Sequence, residues 1–183
     1  MLSKANDRIE VISGDITKLS VAAIVNAGNE SLLGGGGVDG AIHRAAGPRL
    51  LRHNKTLGGC PTGEAKITPS FDLAAHGIKH IIHTVGPVWH GDAEAKIGEP
   101  REDTLLAWCY DNSLALASQQ EVDSIAFPAI STGVYGFPKT RAARIAVDRG
   151  VNWLKEHELP NRIVYCCFAD ADRTIYEKVI ASG

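Results

Sequence analysis

The amino-acid sequence predicts an α/β domain with helices on both faces of a mostly parallel sheet. Short runs rich in Val and Ile alternate along the chain with longer segments of helical period, the pattern of a layered α/β sandwich. The 183 residues leave room for one domain, taken as 1–183. A chain of that size hides ~70% of its unfolded surface and needs neither metal nor disulfide to hold it. Hydrophobic residues at 44% and charged residues at 22% match the ordinary globular mixture and argue against a disordered, collagen-like or coiled-coil chain.

Six strands are expected: Arg8 to Ser13, Ala22 to Asn26, Ala65 to Thr68, Ile78 to Val85, Ser124 to Pro128 and Arg162 to Phe168. Val38 to Ala46, Arg101 to Gln120, Lys139 to His157 and Ala171 to Ala181 read as helices, because apolar residues recur at three and four in each. The faces expected to turn inward include Leu105, Trp108, Asn112 and Leu116 in the second, and Ile145, Val147, Val151 and Leu154 in the third. Ile16 to Leu19 reads as a short turn, and His90 to Pro100 as a polar surface loop.

Charge and cysteine content narrow the function. A net charge of −2 leaves no global positive field for a nucleic-acid backbone, so nucleic acid is not the expected partner. The first eight residues lack an apolar signal core, and the longest apolar run, Val21 to Val25, is far short of a membrane span. A cytoplasmic protein without a membrane partner is the expectation. Cys60, Cys109, Cys166 and Cys167 form no C-x-x-C pair and are expected to be reduced and buried. His80 and His83 stand three apart in a strand, on opposite faces, so they do not chelate, and no metal site and no cofactor are expected.

Glycine is where the composition becomes uneven. Seven of the 19 glycines fall between Gly28 and Gly47, directly after the strand ending at Asn26, and Gly34 to Gly37 run consecutively. Glycines allow positive φ and close approach of the backbone to a ligand. The helix beginning near Val38 offers free N–H groups and a partial positive charge to an anion at Gly36, Gly37 and Val38. Gly35 to Gly40 formally satisfies G-x-G-x-x-G, but eight residues separate its first glycine from the strand end and no ribose-binding acid follows, so a dinucleotide fingerprint is rejected. No Gly-Lys-Ser or Gly-Lys-Thr follows either, which excludes a P-loop. A second glycine loop, Ile130 to Gly136, again follows a strand and precedes a helix. There the hydroxyls of Ser131 and Thr132 and the N–H groups of Gly133, Val134 and Tyr135 suit a diphosphate without a lysine or arginine. Ser131 stands outside any G-x-S-x-G elbow, and no Ser-His-Asp or Cys-His arrangement is readable, so no covalent enzyme intermediate is expected.

Five ordered motifs now carry a resemblance. Gly14-Asp15-Ile16-Thr17, Val25-Asn26-Ala27-Gly28-Asn29, Gly34 to Gly47, Ile82-His83-Thr84-Val85-Gly86-Pro87 and Phe127 to Gly136 together resemble the macrodomain family, in its MacroD-type branch. The resemblance runs from about Ile9 to the C-terminal helix. It implies a three-layer α/β/α fold with a six-stranded mixed sheet and a cleft for ADP-ribose. It also implies hydrolysis of mono-ADP-ribosyl esters on protein Asp or Glu and of O-acetyl-ADP-ribose. The partners expected are ADP-ribose, ADP-ribosylated proteins or O-acetyl-ADP-ribose, and the chain is expected to be a monomer. Gly28 stands where the family usually has Ala, and Ser70 to Ala75 is a loosened Gly-Tyr-x-Leu-Pro-Ala segment.

Residue by residue, Asp15 resembles the carboxylate that accepts from the adenine amino group, with Ile16 beside it; capping the turn that follows is its other reading. Phe168 resembles the aromatic packed near adenine, with a core position as the alternative. Asn26 reads as structural, capping a strand end. Asn29 matches the asparagine at the distal ribose, Asp39 the acidic residue of the catalytic centre, and Tyr135 the loop aromatic closing over distal ribose and diphosphate, a ring that simply covers the glycine loop being its other reading. A carboxylate in the first turn of a helix caps by default, so Asp39 has both readings open. As an anion beside the ribose it would orient or deprotonate water, a role it would share with the substrate's own phosphate. His43, one helical turn beyond, either tunes Asp39 or is a satisfied structural histidine.

Overall fold

The computed structural model describes residues 6–91 and 101–182. Most of the loop expected at His90 to Pro100, and residues 1–5 of the N-terminal stretch, lie outside them. Six strands form one sheet: β1 (Ile9–Ser13), β2 (Ala23–Ala27), β3 (Ala65–Pro69), β4 (His80–Thr84), β5 (Ser124–Phe127) and β6 (Arg162–Cys167). Their order is β1-β6-β5-β2-β4-β3, with β3 antiparallel to β4 and every other pair parallel. The mixed six-stranded sheet is therefore the one the resemblance implied.

Burial follows position in the sheet. β2, with neighbours on both edges, is a run of buried apolar residues interrupted by one polar residue, Asn26. Strands covered on both faces read this way. Edge strand β1 is only half-buried.

The helices are α1 (Gly37–Ala46), α2 (Pro48–Asn54), α3 (Glu102–Gln119), α4 (Lys139–Glu156) and α5 (Asp170–Ser182). One core cluster packs α3, α4 and α5 on one face of the sheet through Tyr110, Leu114, Ala146, Leu154, Tyr176 and their neighbours. The other face carries α1, α2 and the 3-10 turns Ile16–Lys18 and Phe71–His76 through Ile16, Ile42, Leu50 and Leu73. Small residues on α4 let it approach closely: a Cβ at Gly150 would collide with the Tyr165 hydroxyl, which donates to Ala146 O (2.6 Å). The Arg8 guanidinium ties β1 to the turn before β6, donating to the carbonyls of Leu154, His157, Glu158, Pro160 and Asn161.

Several expectations are corrected. In α3 the face expected inward is rotated: Leu106, Cys109, Tyr110, Ser113, Leu114 and Ala117 are buried, while Trp108 is 46% exposed and Asn112 faces out, donating to Gly63 O (2.8 Å). Leu105 and Leu116 flank the buried stripe. β4 begins at His80 rather than Ile78, and β6 stops before Phe168. The helix α2 and the turn Phe71–His76 were not anticipated; Pro48 at the first position after Gly47 (φ 78°) starts the former. All four cysteines are free and buried, and burial raises their pKa values to about 11 or 12, so none is a ready nucleophile.

Candidate active site

Five parallel strands end on one side of the sheet, and the expected site residues all follow those ends. This is where ligands of open α/β sheets bind. From the outer edge inward, Asp15 follows β1, Phe168 follows β6, the 131–136 loop follows β5, and the 28–37 loop follows β2. Three strand steps of ~4.8 Å separate β1 from β2, so the row spans about 14 Å and suits an elongated ligand.

At the outer end, Ser13 pairs with Cys167, and Gly14 N–H donates to Cys167 O (2.9 Å), which sets Asp15 beside Phe168. Asp15 Oδ1 accepts from Thr17 Oγ1 (2.7 Å) and Thr17 N–H (3.0 Å), capping the short turn; the hydroxyl bond is the main cause of its lowered pKa. Capping leaves the outward oxygen, Oδ2, 3.9 Å from Lys18 Nζ on an exposed residue, so both readings of Asp15 are compatible. Phe168 is 96% exposed, which removes the core alternative. The side chain of Ile16 is buried in the core.

In the middle, the 131–136 loop is held from within. Ser131 adopts φ 65°, left-handed backbone that a non-glycine residue keeps only when its surroundings impose it. Phe137 N–H donates to Ser131 O (2.9 Å) and Gly136 N–H to Gly133 O (3.0 Å), while Trp89 N–H donates to Tyr135 O (2.8 Å). Gly86, after β4, allows the close approach: a Cβ there would strike Ser131 Oγ. Ser131 Oγ is buried and unpartnered among the described residues. The N–H groups of Gly133, Val134 and Tyr135 likewise bond to no described residue, Val134 is fully exposed and Tyr135 half-buried. The Thr132 hydroxyl donates to Ala129 O (2.8 Å).

At the inner end, Gly36 is the N-cap of α1 without any side-chain cap, and a Cβ on Gly36 or Gly37 would meet open space. The first N–H groups of α1, including those of Gly37 and Val38, have no acceptor inside the helix and face the loop. Asn29 shapes that loop: Oδ1 accepts from Ser31 Oγ (2.5 Å) and Ser31 N–H (3.1 Å), and Nδ2 donates to Gly34 O (3.1 Å). Asp39, in the first turn of α1, is only 4% exposed and makes no capping bond with any described backbone group. Its Oδ1 accepts from Asn26 Nδ2 (2.7 Å) and lies 3.4 Å from His43 Nε2; its Oδ2 has no partner among the described residues. A Cβ on Gly35 would stand 3.0 Å from that Oδ2 and 3.5 Å from Asn29 Nδ2, so the glycine brings the loop directly over the carboxylate.

Asn26 is thus no strand-end cap but a buried arm reaching Asp39, and His83 stands behind it, Nδ1 at 3.1 Å. Sequence reasoning missed both roles. The signal available was two polar residues inside otherwise apolar parallel strands. Burial holds the His83 pKa down at about 3, so the ring is neutral. Among the described residues no cluster of His, Cys, Asp or Glu could hold a metal ion, and no helix is long and apolar enough to cross a membrane.

A three-layer α/β/α sheet with glycine loops at the ends of β2 and β5, and an acid in the helix between β2 and β3, defines the macrodomain class. The Macro domain family model matches residues 25–146, and the chain belongs to that family. It is 59% identical over 162 residues to a Macro domain-containing protein of Methanosarcina mazei, covering 88% of this chain and 82% of the relative. It is 50% identical over 177 residues to the O-acetyl-ADP-ribose deacetylase of Escherichia coli, covering 94% and 95%. Among solved structures, an Oceanobacillus iheyensis macrodomain variant with ADPR superposes with a TM-score of 0.86 at 41% identity, covering 95% of this chain and 92% of that one.

Proposed function

We propose that this protein binds ADP-ribose along the row of strand ends and hydrolyses its esters, both mono-ADP-ribosyl groups on protein Asp or Glu and O-acetyl-ADP-ribose. The observation that carries the reading is Asp39: a buried carboxylate with one oxygen fixed by Asn26 and the other unpartnered, under a glycine loop at the inner end of the cleft. Adenine would lie between Asp15 and Phe168, the diphosphate on the N–H groups of the 133–135 loop and of the α1 N-terminus, and the distal ribose beside Asn29 and Asp39 under Tyr135. A relative named O-acetyl-ADP-ribose deacetylase and a macrodomain solved with ADPR support the choice of ligand.

Hydrolysis consumes one water and yields the free carboxylic acid and ADP-ribose. Asp39 Oδ2 orients that water and takes its proton, the substrate phosphate holds it from the other side, and the proton then passes to the leaving oxygen. With every cysteine thiol protonated and no base bonded to Ser131 Oγ among the described residues, the water attacks directly.

A non-catalytic ADP-ribose reader is the second reading. It is favoured by Asn29, whose side chain is spent on its own loop. The deciding experiment incubates the protein and its Asp39→Ala variant with a glutamate-linked mono-ADP-ribosylated protein and, separately, with O-acetyl-ADP-ribose, following free ADP-ribose. Turnover is expected to fall at least ~10²-fold in the variant while calorimetry still detects bound ADP-ribose. Binding without release by the wild type would make the protein a reader. Equal rates in both proteins would remove Asp39 from the chemistry.

A further inference from the structure

Behind Asp39 runs a line of buried polar side chains. Asn26 on β2 is paired in register with His83 on β4, and Thr68 lies on the neighbouring β3. Exposure is 1%, 0% and 2% respectively. Thr68 Oγ1 stands 3.1 Å from His83 Nε2, His83 Nδ1 3.1 Å from Asn26 Nδ2, and Asn26 Nδ2 2.7 Å from Asp39 Oδ1. In a water-excluded site each bond constrains the next.

The polarity of the line can be worked out from its ends. A carboxylate only accepts, so Asn26 must present its N–H₂ group, not its oxygen, to Asp39. The second hydrogen of that group then meets His83 Nδ1, which must offer a lone pair. The ring proton is therefore on Nε2 and is donated to Thr68 Oγ1, whose own hydrogen goes on to the carbonyl of Pro69 (3.0 Å). The opposite tautomer would place an N–H against the amide and draw the Asn26 oxygen round toward the carboxylate, where it would repel. A neutral imidazole is required throughout, and its deep burial supplies one.

We propose that His83, held between Asn26 and Thr68 with its proton on Nε2, is a positioning residue: it fixes the Asn26 amide so that Asp39 Oδ1 is held and Oδ2 alone faces the substrate. The role rests on the hydrolase reading for its kinetic consequence, but the orientation of Asn26 is testable without it. A residue that only fills space would leave the split between kcat and KM unchanged, whereas a residue that aims a carboxylate acts on kcat.

The test compares wild type, His83→Met, His83→Gln and Thr68→Val. His83→Met keeps volume and loses the acceptor. His83→Gln restores one, since its amide oxygen can face Asn26 while its nitrogen faces Thr68. For hydrolysis of O-acetyl-ADP-ribose, His83→Met is expected to lose at least ~10-fold in kcat with KM and ADP-ribose affinity within about two-fold, and His83→Gln to recover most of the loss. Thr68→Val, which disturbs packing least, is expected to lose kcat in the same direction. In ¹H–¹⁵N spectra the Asn26 side-chain amide should shift and broaden in His83→Met and return in His83→Gln. Unchanged kcat together with an unchanged Asn26 amide would overturn the proposal, as would a parallel loss in kcat and affinity or a failure of His83→Gln to rescue. If the wild type itself releases no ADP-ribose, the hydrolase reading falls, and the Asn26 amide signals alone decide the orientation. If His83→Met does not fold, the comparison of Thr68→Val with wild type carries the decision.

Discussion

Acidification from about pH 8 to pH 5 should cost the folded protein about 2 kcal/mol through His83 alone. Burial is the main cause that holds this imidazole down at about 3, against an ordinary value of 6.5, with His43 and His53 adding to it. Because the folded-state value is the lower one, the unfolded chain takes up the proton first. The contribution is therefore complete above about pH 6.5 and is lost progressively as pH falls toward about 3. The limiting slope is about 1.4 kcal/mol per pH unit, so one and a half units below the ordinary value the loss is about 2 kcal/mol, or ~4–8 °C in Tm for a chain this long. A whole-protein pH profile sums every ionisable group, so the informative quantity is the difference between wild type and His83→Gln. Urea unfolding of both proteins between pH 8 and 4.5 measures it. Wild-type stability should fall more steeply than the variant's, the gap opening below pH 6.5. Parallel lines, or a His83 ring resonance titrating near 6.5 in the folded protein, would refute the reasoning.

Three glycines give further predictions. Gly133→Val adds a side chain where nothing stands within 4 Å, so Tm should hold within a few degrees while ADP-ribose affinity by calorimetry drops at least ~10-fold; unchanged affinity would refute the diphosphate nest. Gly86→Ala drives a methyl into Ser131 Oγ and Ile130, and should destabilise by ~1–3 kcal/mol in chemical unfolding while weakening ligand binding through the displaced loop. Gly28→Ala, by contrast, would meet Leu32, Asn26 and Asp39 at ordinary contact distances of 3.6 to 3.9 Å in backbone that alanine adopts freely, so it should be neutral or stabilise by ~0.4–1 kcal/mol, with turnover retained.

What could be read from the sequence divides along physical lines. Strands show as dense aliphatic runs because a parallel sheet covered on both faces admits little else, and glycine loops show because a close backbone approach admits only glycine. The fold and the two glycine loops after β2 and β5 were legible for that reason. The rotation of α3 was not: Leu105 and Trp108 are as apolar as Leu106 and Tyr110, and only the position of β3 and β4 beneath and of α4 alongside decides which set is covered. The short helix after Gly47 has too few turns to show a period. Asn26 and His83 were misread or passed over because their meeting depends on the β2–β4 register across 57 residues, which no local pattern encodes. The acceptor of the Thr132 hydroxyl, Ala129 O, is likewise set by backbone geometry.

The pairing of β1 with β6 also sets a timetable. A growing chain that has passed Gly136 already holds both glycine loops and Asp39, yet its β1 has no neighbour, and Asp15 has nothing to stand beside. Only when the sixth strand emerges and slides between β1 and β5 does the outer third of the cleft come into being, from two segments about 150 residues apart whose meeting costs the most loop entropy in the fold. Arg8, gripping the turn just before that strand, is placed to guide its arrival. A nucleotide long enough to touch both ends would then clasp the last-closing seam of the sheet, and slowed amide exchange along β1 would be its mark.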